Sequence, residues 1–161
     1  YLIFIVNFLI LKWTIYLNNI SLTISWVTQV WVNYRGMIYK GSCHCGAVAF
    51  EVEANEKVVA ISCNCSICTK AGNLHLIVPR SKFKLIKGEN NLSTYTFDTG
   101  EAKHLFCRTC GIKSFYIPRT NPDGISVNPS CLKPQPKELI IEKFDGQNWE
   151  INAHSLTHLS K

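Results

Sequence analysis

The sequence predicts an all-β domain of short antiparallel strands fastened by cysteine–metal sites. Three observations point there. Apolar residues recur with period 2, or in runs of four or five bounded by Gly, Pro or Asp, which suits short strands. Pro118, Pro122, Pro129, Pro134 and Pro136 crowd one region and exclude a long helix there. Seven of the eight cysteines fall into three tight groups: Cys43-x-Cys45, Cys63-x-Cys65-x-x-Cys68 and Cys107-x-x-Cys110.

The first 36 residues differ from the rest. Tyr1 to Leu11 is apolar except for Asn7; Lys12 follows, and a mixed stretch runs from Ile20 to Val32. Neither half offers the roughly 18 clean apolar residues of a transmembrane helix. No basic leader or small-residue cleavage site marks a signal peptide. The single methionine, Met37, opens the strand-rich part. Residues 1–36 are therefore read as translated non-coding sequence, with a membrane anchor or an added strand or helix as alternatives. Residues 37–161 are read as one domain.

Within that domain, Val48, Phe50 and Val52 alternate with Ala49, Glu51 and Glu53, the mark of a half-buried strand. Val58 to Ile61 leads into the triple-cysteine group. Leu74 to Val78 is stopped by Pro79, and Phe83 to Ile86 by Lys87-Gly88. Leu92 to Phe97, rich in Thr and Tyr, ends at Asp98-Thr99-Gly100. His104 to Phe106 enters the last cysteine pair and Ser114 to Ile117 leaves it. Gly124 to Val127 is short, and Leu139 to Phe144 ends at a tight turn, Asp145-Gly146. Only the tail after Trp149 has weak helical character.

With 161 residues, 47% of them hydrophobic, the chain can bury one real core. Its net charge of +6 is spread thinly. No basic run or basic helix face argues for nucleic acid, whereas a mild excess suits a small anion. Cysteines one or two residues apart reach a common centre, so metal is preferred to disulfides. A reducing compartment, cytoplasm or nucleus, follows.

The outer pairs, Cys43/Cys45 and Cys107/Cys110, are distant in sequence. A metal joining them would tie the ends of the domain together, as a structural zinc does. Gly46 and Gly111 each follow the last cysteine of a pair, where positive φ lets the backbone turn under the sulfurs. Cys63, Cys65 and Cys68 supply three thiolates, one short of a closed tetrahedron. Either the fourth position is open to a thiol, or Cys131, His75 or His104 closes it. Alone, Cys131 reads as a buried small hydrophobe. His154 and His158, four apart, read as solvated tail.

Gly41-Ser-Cys-His-Cys-Gly-Ala-Val, Cys63-Asn-Cys-Ser-Ile-Cys and Phe106-Cys-Arg-Thr-Cys-Gly resemble the glutathione-dependent formaldehyde-activating enzyme family. Within it the animal centromere protein V branch is most similar. Ile77-Val-Pro, Thr94-Tyr-Thr-Phe, Ser114-Phe-Tyr-Ile-Pro-Arg and Asn128-Pro-Ser-Cys-Leu extend the resemblance over about residues 38–150. It implies an Mss4-like fold with two zinc ions. Cys43, Cys45, Cys107 and Cys110 would hold the structural one, and Cys63, Cys65 and Cys68 the catalytic one. The implied activity is carbon–sulfur lyase chemistry, joining glutathione to formaldehyde as S-hydroxymethylglutathione. His75 or His104 would shuttle the proton, and Arg80, Arg108 and Lys113 would balance the carboxylates of glutathione. The alternatives are a non-catalytic zinc module for protein, chromatin or cytoskeletal interaction, and a thiol or aldehyde sensor. The basic extension of the longer animal relatives is missing from this sequence, which weakens the chromatin reading. The implied partner is a small thiol or aldehyde. Oligomeric state has no signal, and a membrane enters only through residues 1–36.

Overall fold

The computed structural model describes residues 36–161. The expectations for the N-terminal stretch fall, Gly36 apart, outside the described residues. Among the described residues no helix is long and apolar enough to cross a membrane.

Strands β1 (Met37–Ser42), β2 (Ala49–Ala54), β3 (Lys57–Cys63), β4 (Leu76–Pro79), β5 (Phe83–Lys87) and β6 (Leu92–Tyr95) occupy the first half of the domain. The second half carries β7 (His104–Cys107), β8 (Phe115–Tyr116), β9 (Gly124–Val127), β10 (Leu132–Lys133) and β11 (Glu138–Phe144). They form an antiparallel sheet in the order β10-β1-β2-β5, a three-stranded sheet β4-β9-β8 and the two-stranded pairs β6-β7 and β3-β11. The alternation in β2 does what its pattern predicts: Phe50 and Val52 are buried and Glu53 is exposed. Phe50 meets Phe115 edge-on at 5.3 Å, and Phe83 meets Phe115 at 4.7 Å. These rings join the two larger sheets through one core, which also takes in Tyr39, Val78, Ile125 and Val127. Truncating Phe50 to Ala there would cost about 3–5 kcal/mol.

The structure adds elements that periodicity did not reveal. In β1 the inward residues are Tyr39 and Gly41, so the apolar alternation is faint. β10 is two residues inside the proline-rich stretch, paired to Lys40 and Gly41. Helix α1 (Ser66–Ala71) lies within the triple-cysteine group and is too short for a periodic signal. The tail forms α2 (Trp149–Asn152), continued by a 3-10 helix over Ala153–Ser160.

One pairing departs from the antiparallel expectation. β3 and β11 run parallel, in register from Lys57↔Glu138 to Cys63↔Phe144. A parallel pair needs a long crossover, and here the crossover is the body of the domain between the two strands. Sequence alternation marks a strand but not the direction of its partner. The consequence is positional: β11 delivers the turn at Asp145-Gly146 beside Cys63.

The C-terminal segment is held by a small second core of Ile61, Phe144 and Leu156, flanked by Trp149 and Leu159. Buried Asn121 fixes its far end, with Nδ2 donating to Leu156 O at 3.0 Å and to Ser160 Oγ at 3.0 Å. The Ser160 hydroxyl in turn donates to Asp123 Oδ1 at 2.7 Å.

Candidate metal centres and active site

The outer cysteine pairs meet. Cys43 and Cys45 leave the end of β1, while Cys107 ends β7 and Cys110 follows in the next turn. Their four sulfurs lie within 4.8 Å of one another. Cys45 Sγ is 3.6 Å from Cys43 Sγ and 3.7 Å from Cys107 Sγ. A zinc–sulfur bond of about 2.3 Å gives a tetrahedral edge of roughly 3.8 Å, so this spacing suits a metal. Gly46 and Gly111 have φ of 73° and 72°, the left-handed turn each knuckle requires. The Val48 N–H donates to Cys43 Sγ at 3.3 Å, and Asn91 Nδ2 to Cys107 Sγ at 3.2 Å. Such bonds orient and stabilise thiolate ligands. The backbone N–H groups of Cys45 and Ile112 lower the Cys110 thiol to about 6.

The middle triplet forms a second cluster. Cys63 ends β3, Cys65 is the N-cap of α1, and Cys68 is buried in its first turn. One helical turn therefore carries Cys65 and Cys68 to the sulfur of Cys63, and all three lie within 4.8 Å. Contact with Cys63 and Cys68, aided by the helix-start N–H groups of Cys68 and Ile67, lowers the Cys65 thiol to about 2. Among the described residues no histidine, carboxylate or further cysteine completes this group. Gly146, at the turn after β11, leaves room beside it. A Cβ there would strike Cys63 Sγ and lie 2.9 Å from Cys65 Cβ. Three soft donors around clear space fit a zinc ion with one position free.

A cavity of about 400 Å³ opens on this triplet. Cys65, Ile67 and Cys68 line it, with Phe97 from the loop after β6, His104 and Tyr116 from β7 and β8, and Gln147, Trp149 and Glu150 from the C-terminal segment. Tyr116 is the hub of its aromatic wall. It stacks on His104 at 5.2 Å and meets His75 edge-on at 5.4 Å, and Phe97 stacks on the other face of the wall against His104 at 5.4 Å. A second cavity, about 30 Å³, touches Cys63, Cys68 and His75. That is room for a water or two.

Both histidines are buried and neutral. Burial, then the Lys113 charge, lowers each to about 4. His75 Nδ1 faces Ser126 Oγ at 3.3 Å, and His104 Nδ1 faces Lys113 Nζ at 3.0 Å. An ammonium only donates, so His104 Nδ1 accepts and the ring proton sits on Nε2. That Nε2, like the Nε2 of His75, has no partner among the described residues despite its burial.

The other residues singled out from sequence are scattered. Lys113 is half-buried behind His104, its Nζ 4.0 Å from the centre of the Tyr116 ring; burial lowers its pKa against the pull of the triplet. Arg80 is exposed in the turn after β4 and does not line the cavity. Arg108 is exposed beside the four-thiolate cluster, donating to Leu92 O at 3.4 Å. Cys131 packs against the main core, its thiol raised by burial, and joins neither cluster. His154 and His158 are exposed in the tail. Sequence reasoning missed Tyr116, Phe97, Arg119, Trp149 and Glu150. Tyr116 and Arg119 lie in the Ser114-Phe-Tyr-Ile-Pro-Arg segment, and Phe97 in the Thr94-Tyr-Thr-Phe segment, that carried part of the resemblance; Trp149 and Glu150 had no local signal.

The family model for the glutathione-dependent formaldehyde-activating enzyme matches residues 38–144. The chain belongs to this family. A crystal structure of a Rhodobacter sphaeroides protein is similar to it, at 40% sequence identity and a TM-score of 0.57. The match covers 64% of this chain and 99% of that one. The short antiparallel strands, few helices and cysteine clusters are those of an Mss4-like domain of the glutathione-dependent formaldehyde-activating enzyme family. The matched span holds all seven clustered cysteines. Gln147, Trp149 and Glu150 lie beyond it.

Proposed function

We propose that the protein is a zinc-dependent carbon–sulfur lyase that makes and breaks S-hydroxymethylglutathione or the formaldehyde adduct of a related small thiol. The observation that carries this reading is the triplet of Cys63, Cys65 and Cys68 on a cavity, with no fourth protein ligand within reach among the described residues. In it, Cys43, Cys45, Cys107 and Cys110 hold a structural zinc and the triplet holds a second. Zinc bound there supplies the charge that lowers the pKa of an incoming thiol.

The chain's own residues do the rest. As sulfur adds to formaldehyde, the C–S bond forms and the carbonyl π pair moves onto oxygen. His104 lines the cavity and carries a buried Nε2–H without a partner among the described residues; in this reading that group hydrogen-bonds the oxygen. The oxygen then takes up a proton equivalent to the one lost by the thiol. Lys113 holds His104 in this tautomer. A donor of this kind contributes on the order of 10²–10³ in rate. His75, one ring further back, supports Tyr116. Within the family we place the chain beside the animal centromere protein V branch, on the motifs quoted above, and in a reducing compartment of cytoplasm or nucleus, where thiolates persist.

The test is glutathione titration onto cobalt-substituted protein, combined with exchange of label between formaldehyde and its thiol adduct. A shift of the cobalt–thiolate bands, absent in Cys65→Ser, and accelerated exchange are expected. His104→Phe should keep the bands and slow exchange about 10²-fold. Unchanged bands would sink the lyase reading and leave a zinc-fastened interaction module.

A further inference from the structure

The charges around the cavity narrow the thiol, an inference that rests on the function proposed above. Among the described residues, Arg119 is the one lysine or arginine lining the cavity. Its guanidinium is already committed. Nε lies 3.1 Å from Glu101 Oε2, and one terminal nitrogen lies 3.0 Å from Glu150 Oε1 and 3.8 Å from Asp98 Oδ2. Carboxylates therefore outnumber the cation at this end of the cavity. Glutathione brings two carboxylates and one ammonium. Each carboxylate would have to displace Glu101 or Glu150 from Arg119, whereas an ammonium finds Asp98 and Glu150 directly. The Trp149 ring, 5.9 Å from the guanidinium, and the exposed Phe97 ring offer faces that favour a cation or an apolar group over an anion.

The space is also prepared for a polar ligand. His104 is 5% exposed, lines the same cavity and has an Nε2 without a partner among the described residues. Two of the selecting residues, Trp149 and Glu150, lie beyond the span shared with the family. We infer that this site takes a small aminothiol lacking free carboxylates, and its formaldehyde adduct, in preference to glutathione itself. The thiol enters sulfur-first toward Cys65 and Cys68, and its ammonium pairs with Asp98 and Glu150.

Glutathione and its diethyl ester share one thiol and one amine and differ in two carboxylates, so they are the matched probes, with cysteamine as the minimal aminothiol. Each is titrated onto the full-length cobalt-substituted protein at low salt. The diester and cysteamine should bind about tenfold more tightly than glutathione, a preference that shrinks in high salt. Glu150→Gln combined with Asp98→Asn should erase it; asparagine tolerates the left-handed backbone of Asp98, φ 54°. Glutathione binding as tightly as its diester overturns the inference while leaving the lyase reading intact. So does a preference that survives the double substitution. Silence of the cobalt bands toward every thiol overturns both.

Discussion

Cys43, Cys45, Cys107 and Cys110 close on one another between knuckles from two different sheets, whereas Cys63, Cys65 and Cys68 close on a cavity. The ligand chemistry is the same. What differs is the number of sulfurs and what surrounds them. The four-thiolate cluster is tied to Val48 and Asn91 by N–H···S bonds, and Cys43 and Cys107 belong to the main core. Nothing there is left for a ligand to do. The triplet stands at the start of a six-residue helix, faced by neutral histidines and a tyrosine, with Gly146 keeping its approach clear. In the function proposed above, the saturated site stabilises the fold and the unsaturated one, beside buried donors, is where the chemistry takes place.

The largest expected effect tests that division directly. Cys107→Ser should abolish cooperative unfolding, since a structural zinc contributes on the order of 10 kcal/mol to folding. Cys65→Ser should keep a cooperative transition while losing the thiol response. Thermal melts with zinc stoichiometry on both variants decide it, and equal loss of folding in the two would erase the distinction.

Acid should separate the regions next. His75 and His104 titrate near 4 when folded, against 6.5 for the free ring. Between those values the unfolded chain binds more protons. Stability therefore falls as pH drops from 6.5 towards 4, by about 1.4 kcal/mol per unit for each ring, and is unaffected by them above 6.5. Denaturant midpoints from pH 7 to 5 should show the slope, and His104→Phe should flatten its share. An unchanged slope in that variant would mean that the ring is not buried neutral.

The smallest effect concerns the wall made by the C-terminal segment. Asn121→Ala strands buried acceptors and should cost about 1–3 kcal/mol. It should weaken thiol binding at the triplet without altering metal retention at the four-thiolate cluster. If both sites suffer alike, the segment acts on the whole domain.

Much of this was legible from residue order. The strand runs from Val48 to Phe144 are where alternation and stop residues place them, and the cysteine groups announced themselves by spacing. Arg80 and Arg108 show where that reading ends. Both are near cysteines or strands in sequence, yet neither lines the cavity. The meeting of Arg119 with Glu101 and Glu150 was invisible, because these partners lie 18 or more residues away.

Spacing alone could determine which cysteines reach a common centre, because one turn of backbone sets that reach. It could also determine that the domain is built of short strands, since alternation is a local property. It could not show whether Cys131 or a histidine closes the triplet, nor what faces it. Those depend on the parallel pairing of β3 with β11, and on Asn121 gripping the tail. Both contacts join segments tens of residues apart, and only the tertiary fold brings them together.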